Sequence, residues 1–203
     1  MTEPTSKPQL YVISGANGAG KSSFADILVP QNTLIVNPDK IRQEFSNIFQ
    51  ADLFSKNLLN KAILERRNIS LETNFLFESD MGDFLSYRNS GYELNMYFIA
   101  IRDLEESRQR VETRVSNGGH FVDDYTRELN FNIGKTNSIK YSSYFDRVTV
   151  LSNSYELQDF LLHAENRNIL YKNETAFQWA NDLIRSFQMG LSQNPDISHS
   201  QKR

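Results

Sequence analysis

Residues 15–22 read Gly15-Ala16-Asn17-Gly18-Ala19-Gly20-Lys21-Ser22, a G-x-x-x-x-G-K-S loop. It stands between an apolar, β-rich run, Leu10-Tyr11-Val12-Ile13-Ser14, and a segment with helical spacing, Ser23-Phe24-Ala25-Asp26-Ile27-Leu28. Nothing else in the chain restricts the fold so tightly. Strand, loop and helix must follow in that order for the backbone N–H groups to converge on a phosphate at a helix N-terminus. In that setting Gly15 to Ser22, with Ser23, would cradle the phosphates of a nucleoside triphosphate. Lys21 would reach the β- and γ-phosphates and the Ser22 hydroxyl would bind Mg²⁺.

Composition removes several alternatives. The 203 residues suffice for one α/β domain. Without cysteine there are no disulfides and no thiol chemistry, and the three scattered histidines, 120, 163 and 199, make a poor zinc site. A formal net charge of −3 without a basic stripe argues against nucleic acid as a partner. The first eight residues carry no apolar signal core and no window is apolar enough to span a membrane, so the expected location is cytoplasmic. Residues 1–8 and 191–203 read as polar tails around a single domain, 9–190.

Within that domain strands and helices alternate. Strands are predicted at 10–14, 33–36, 69–73, 94–101 and 148–151. Helices are predicted at 21–28, 52–67, 79–90, 104–115, 124–141 and 175–189. Ile41, Phe45, Ile48 and Phe49 also fall at helical spacing. Residues 160–163 and 169–172, joined by Asn166-Arg167-Asn168, read as a small C-terminal hairpin. The fold class is therefore α/β, a mostly parallel sheet flanked by helices, with ligands at the carboxyl ends of the strands.

Three segments past strand ends carry candidate chemistry. Asp39, in Asn37-Pro38-Asp39-Lys40-Ile41-Arg42, reads either as a helix N-cap or as a base or metal ligand on the strand expected beside the P-loop strand. Glu72, in Glu72-Thr73-Asn74, reads as an acceptor for substrate hydroxyls or as one half of a salt bridge to an arginine. Arg102, Arg108, Arg110 and Arg114 interleave with acidic residues and read as a solvated helix face. That helix ends at Asn117-Gly118-Gly119-His120. A lid over about 103–141, hinged on the glycine pair, would bring Arg114 and Arg127 onto a transferring phosphoryl group.

Taken in order, these segments resemble the zeta toxin family of P-loop kinases, which includes proteins named UDP-N-acetylglucosamine kinases. The resemblance rests on Gly15–Ser22, Val36-Asn37-Pro38-Asp39-Lys40-Ile41-Arg42, Leu71-Glu72-Thr73-Asn74 and the run from Arg110 to His120. It implies transfer of the γ-phosphate of ATP, with Mg²⁺, to a hydroxyl of a UDP-amino sugar. Asp39 would activate that hydroxyl, and Arg42, Glu72, Thr73 and His120 would line the acceptor site. Lys21, Arg114 and Arg127 would act on the phosphates. The resemblance also implies a toxin-like role and an antitoxin protein as partner. The alternatives are a related kinase with another acceptor, such as a dinucleotide, and an ABC-type NTPase or ATP-binding module. Against the NTPase, there is no apolar run ending in a Walker-B aspartate paired with a catalytic glutamate; the nearest, Leu71-Glu72, is too short.

Overall fold

The structure is a computed structural model that describes residues 7–119 and 121–194; the Asp39 side chain also lies outside the described residues. Among the described residues seven strands form one sheet: β1 (Gln9–Gly15), β2 (Leu34–Val36), β3 (Ile69–Thr73), β4 (Glu93–Ala100), β5 (Arg147–Ser154), β6 (Leu157–Glu165) and β7 (Asn168–Lys172). Their spatial order is β2-β3-β1-β4-β5-β6-β7. The first five are parallel, and β6 and β7 extend the sheet as an antiparallel meander from β5. The expected α/β class is what the structure shows, and the hairpin continues the main sheet.

This order corrects one expectation. The strand beside β1 is β3, not β2, which pairs only with the far side of β3. In the β1–β3 register Ile13 faces Glu72 and Ser14 faces Thr73. The acidic strand end next to the loop is therefore Glu72, and Asp39 follows a strand one position further out.

In the described residues seven α-helices cover the sheet: α1 (Lys21–Leu28), α2 (Pro38–Glu44), α3 (Ile48–Leu64), α4 (Glu78–Asn89), α5 (Leu104–Ser116), α6 (Asp124–Lys140) and α7 (Gln178–Ser192). Successive strand side chains point to opposite faces, so the sheet has two cores. Leu10, Val12, Ile69, Leu94 and Met96 pack with Phe84 of α4 and Phe187 of α7. Ile13 and Ile99 pack with Ala19 of the loop and Ala25 of α1, with Phe131 of α6 against them.

Two helix starts differ from the reading of the sequence, for one reason: asparagine caps. Asn37 accepts from the Lys40 amide at 3.0 Å and caps α2, with Pro38 behind it. Asp39 is thus a residue of the first turn and not the cap. Asn47 accepts from the Phe49 and Gln50 amides, so α3 starts at Ile48 and ends at Leu64. At the other end of the sheet, Asn166 and Arg167 both have positive φ, 47° and 68°, the form a two-residue hairpin turn needs to match strand twist.

Helix α6 packs unusually close to the strand ends. A Cβ placed on Gly134 would lie 2.1 Å from the Asn74 carbonyl oxygen, so only glycine permits this approach.

Candidate active site

The P-loop wraps the start of α1, and Gly20, at φ +91°, makes the left-handed turn into that helix. Lys21 extends back across the loop. Its Nζ donates to the carbonyls of Gly15 at 2.8 Å and Ala16 at 3.0 Å, and to Asn74 Oδ1 at 2.7 Å. The ammonium therefore sits at the mouth of the loop, where β- and γ-phosphates would lie.

Below it, three side chains converge. The Ser22 hydroxyl donates to Glu72 Oε2 at 2.7 Å, and the Asn37 amide donates to the same oxygen at 2.9 Å. That amide also lies 3.3 Å from Ser22 Oγ. Glu72 is only 6% exposed. A carboxylate so buried is tolerable because polar hydrogens meet it. The salt bridge to an arginine, one of the two readings of Glu72, is not among the bonds it makes here. Glu72 meets the serine that a P-loop uses for Mg²⁺. A serine hydroxyl backed by one carboxylate fits Mg²⁺, which binds through oxygen and takes most of its ligands from water and phosphate.

Around this cluster lies a cavity of about 480 Å³, lined by the loop and by Lys40, Gln43, Arg110, Arg114 and Val122. Glu72 is shared with a second cavity of about 500 Å³ between α2, α3 and α4, where Arg42, Asp52, Asp80, Asp83 and Thr73 also lie. Burial raises the Asp80 carboxyl above its ordinary value, opposed by the Phe77 amide. Thr73 turns its hydroxyl to the Phe75 amide at 2.8 Å. Arg42 is paired with Asp52 at 3.0 Å.

The structure thus brings together Asn17, Gly18, Gly20, Lys21, Ser22, Ser23, Glu72 and Arg114 around one cavity, with Gly15 and Ala16 holding Lys21 by their carbonyls, and places Arg42 and Thr73 in the adjoining cavity. Arg127 does not line either cavity. It is 7% exposed, with Asp124 at 3.3 Å and Glu112 at 3.9 Å, and its Nε has no hydrogen-bond partner among the described residues. His120 lies outside the described residues, as does the Asp39 side chain; the backbone of Asp39 sits in α2 between Asn37 and Lys40.

Two arginines read as solvated have specific partners. Arg108 clasps Asp124 with two hydrogen bonds, at 2.7 and 2.9 Å, and so ties α5 to the first turn of α6. That guanidinium holds the Asp124 carboxyl below the usual range. Arg110 is folded onto the P-loop beside buried Glu106. Its only signal in the sequence was the spacing Glu106–Arg110–Arg114, which puts all three on one helix face. The glycine pair expected as a hinge closes α5, since the Gly118 and Gly119 amides bond to the carbonyls of Val115 and Arg114 at 2.9 Å each.

Residues 1–176 match the zeta toxin family. The chain belongs to this family. No curated protein matches it. Among solved structures it is similar to the PezAT chromosomal toxin–antitoxin system of Streptococcus pneumoniae, with a TM-score of 0.56 at 15% identity over 98% of this chain and 85% of that one. It is also similar to the AvrRxo1-ORF1:-ORF2 complex with ATP, with a TM-score of 0.66 at 12% identity over 94% of this chain and 67% of that one. A third likeness is to a chain of the Pnkp1/Rnl/Hen1 RNA repair complex, with a TM-score of 0.57 at 19% identity over 68% of this chain. The zeta toxin-like chain spans about half, 47%, of that relative's length. At such identities the likenesses speak for the fold, and the family match with the intact loop marks the chain as a P-loop kinase, an ATP-dependent phosphotransferase. Among the described residues no helix is long and apolar enough to cross a membrane.

Proposed function

We propose that this kinase transfers the γ-phosphate of ATP to a hydroxyl of a nucleotide sugar, with UDP-N-acetylglucosamine as the acceptor, and that it acts as the toxin of a toxin–antitoxin pair. The observation that carries the reading is the Ser22–Glu72–Asn37 cluster on a phosphate-side cavity, whose Glu72 also lines a second cavity of similar size. A kinase needs two such spaces meeting at one point; a simple NTPase needs one.

In this reading Ser22, with Glu72 and Asn37 behind it, would hold a Mg²⁺ ion, whose positive charge would offset that of the phosphates. Lys21 exchanges the loop carbonyls for phosphate oxygens. Asp39, in the first turn of α2, accepts the proton of the attacking hydroxyl. Arg114 and Arg127 meet the charge that spreads over the transferring group, and His120, with Arg42 and Thr73, contacts the acceptor.

A second acceptor class is favoured by the lining of the adjoining cavity. Asp52, Asp80, Asp83 and Glu72 outnumber Arg42 and Lys56 there. Carboxylates accept from hydroxyls and repel phosphates, which suits an uncharged or amino-bearing polyol. One assay separates the two: ADP release by the purified chain with Mg²⁺-ATP and a panel of nucleotide sugars, dinucleotides and free amino sugars. Turnover with UDP-N-acetylglucosamine supports the first reading. Turnover only with phosphate-free acceptors supports the second, and no acceptor-dependent turnover with any would remove both. In bacteria, expression of the active chain should arrest growth unless a cognate antitoxin is supplied.

A further inference from the structure

The carbonyl groups of the P-loop divide into two sets. Those of Gly15 and Ala16 face Lys21. The next three are each held by a side chain from outside the loop. Ser107 Oγ donates to the Asn17 carbonyl at 2.7 Å, Arg110 Nη1 to that of Gly18 at 3.4 Å, and Asn153 Nδ2 to that of Ala19 at 2.9 Å. Ser107 and Arg110 come from α5 and Asn153 from the end of β5.

Behind them stands Glu106, 2% exposed. It accepts from Arg110 Nη2 at 2.7 Å, from Ser154 Oγ and the Tyr155 amide at 2.8 Å each, and from the Arg102 amide at 3.1 Å. Arg110 also donates to the Asn153 carbonyl and lies 4.4 Å over the Tyr155 ring. One buried carboxylate therefore locks α5, the β5 end and Arg110 into a single unit.

A trans peptide is planar, so a carbonyl held outward turns the N–H of the next residue the opposite way. The three braced carbonyls thus set the directions of the Gly18, Ala19 and Gly20 amides; that of Ala19 turns inside the loop to the Ala16 carbonyl at 3.2 Å, so the amides offered to phosphate are those of Gly18 and Gly20. A loop this rich in glycine would otherwise sample many shapes and lose that freedom only on meeting a ligand.

We propose that Ser107, Arg110 and Asn153, held together by Glu106, brace the P-loop from behind and fix its amides for phosphate before the nucleotide arrives. They are positioning residues: they act on the phosphate through the backbone they hold. The proposal rests on the nucleotide-binding reading above. Arg110 lines the nucleotide cavity, but Ser107 and Asn153 do not, so these two isolate the effect.

The test is titration calorimetry of Ser107→Ala and Asn153→Ala with two probes, ADP and inorganic tripolyphosphate, beside the melting temperature of each ligand-free variant. Loss of one carbonyl partner should weaken both probes about three- to tenfold, in line with one net hydrogen bond. The ligand-free melting temperature should stay close to wild type. Unchanged affinity for both probes overturns the brace, including in a variant that melts earlier. So does a loss confined to ADP, which would place the residues at the base and not at the loop. Should one variant fail to fold, the other decides. A wild-type chain that binds neither probe sinks the nucleotide reading, and the brace with it; a wild type that binds both, with variants to match, sinks the brace alone.

Discussion

The Glu72 carboxylate and the Ser22 hydroxyl lie 2.7 Å apart, joined across the seam between β3 and the helix that follows β1. This contact gives the acidic end of β3 a defined neighbour. It places Glu72 one step behind the expected Mg²⁺ ligand. Glu72→Gln keeps the shape and removes the charge. The Mg²⁺ concentration for half-maximal ATP turnover should then rise about 10- to 100-fold, as when an outer partner of a metal ligand is lost. A magnesium titration with wild-type midpoint would take the carboxylate out of the metal's surroundings.

Lys21→Ala should abolish ATP turnover with little change in melting temperature. The bonds described above join its ammonium to polar atoms of the loop and Asn74, so its loss removes polar contacts at the mouth of the loop. Turnover retained in this variant would sever the loop from the mechanism.

Asn37, not Asp39, caps α2. Asp39→Asn should therefore leave the helix intact and remove the proton acceptor, giving loss of phosphoryl transfer at unchanged thermal stability. Asn37→Ala should cost about 1 kcal/mol of stability through the lost cap and should also alter the magnesium dependence, since its amide orients Glu72. Comparing the two by calorimetry and acceptor-dependent ADP release separates the roles. Full transfer by Asp39→Asn would sink the base assignment.

Arg114→Ala should lower turnover about 10²- to 10³-fold, the usual scale for a lost preorganised charge donor, with a much smaller effect on ATP affinity. Arg127 is buried and tied to Asp124 and Glu112, so Arg127→Ala should cost stability as well as rate. An Arg127→Ala chain that melts early yet turns over normally would remove it from the clamp.

The Arg108–Asp124 pair gives a pH signature. Asp124 is held below the ordinary carboxylate range in the folded chain, so folding favours its ionised form. The tie between α5 and α6 is fully present above the unfolded carboxylate value, about 3.9, and is lost as pH falls through the lower folded value. In Arg108→Ala the Asp124 titration, followed by carboxyl NMR, should move up toward that ordinary value, while turnover at neutral pH changes little. An unmoved titration would mean that the pair is not what holds the carboxyl down.

Much of this was readable in the residues. The strand–loop–helix context of the P-loop, the buried strand 69–73 and the Asn166-Arg167 turn all follow from local preferences, and local preferences are what a sequence displays. Strand order is different. Nothing in 33–36 or 69–73 says which of them pairs with β1, because pairing is settled by crossovers and by the packing of α3. With the order reversed, Asp39 looked like the group nearest the loop. Arg110 was hidden for another reason. An i,i+4 pair with Glu106 looks the same on paper whether it faces water or, as here, a phosphate loop; only the burial of Glu106 tells them apart.

Gly134 sits in the interior of α6, where glycine costs a helix roughly 0.5–1 kcal/mol relative to alanine. The chain accepts that cost because the Asn74 carbonyl occupies the space of a side chain, and Asn74 in turn holds Lys21. Position 134 is therefore a point of low mutational tolerance, linked to the nucleotide site through Asn74 and Lys21. A saturation library selected for activity should return glycine alone there, even though a helix-forming residue would look like an improvement to any designer reading the helix by itself.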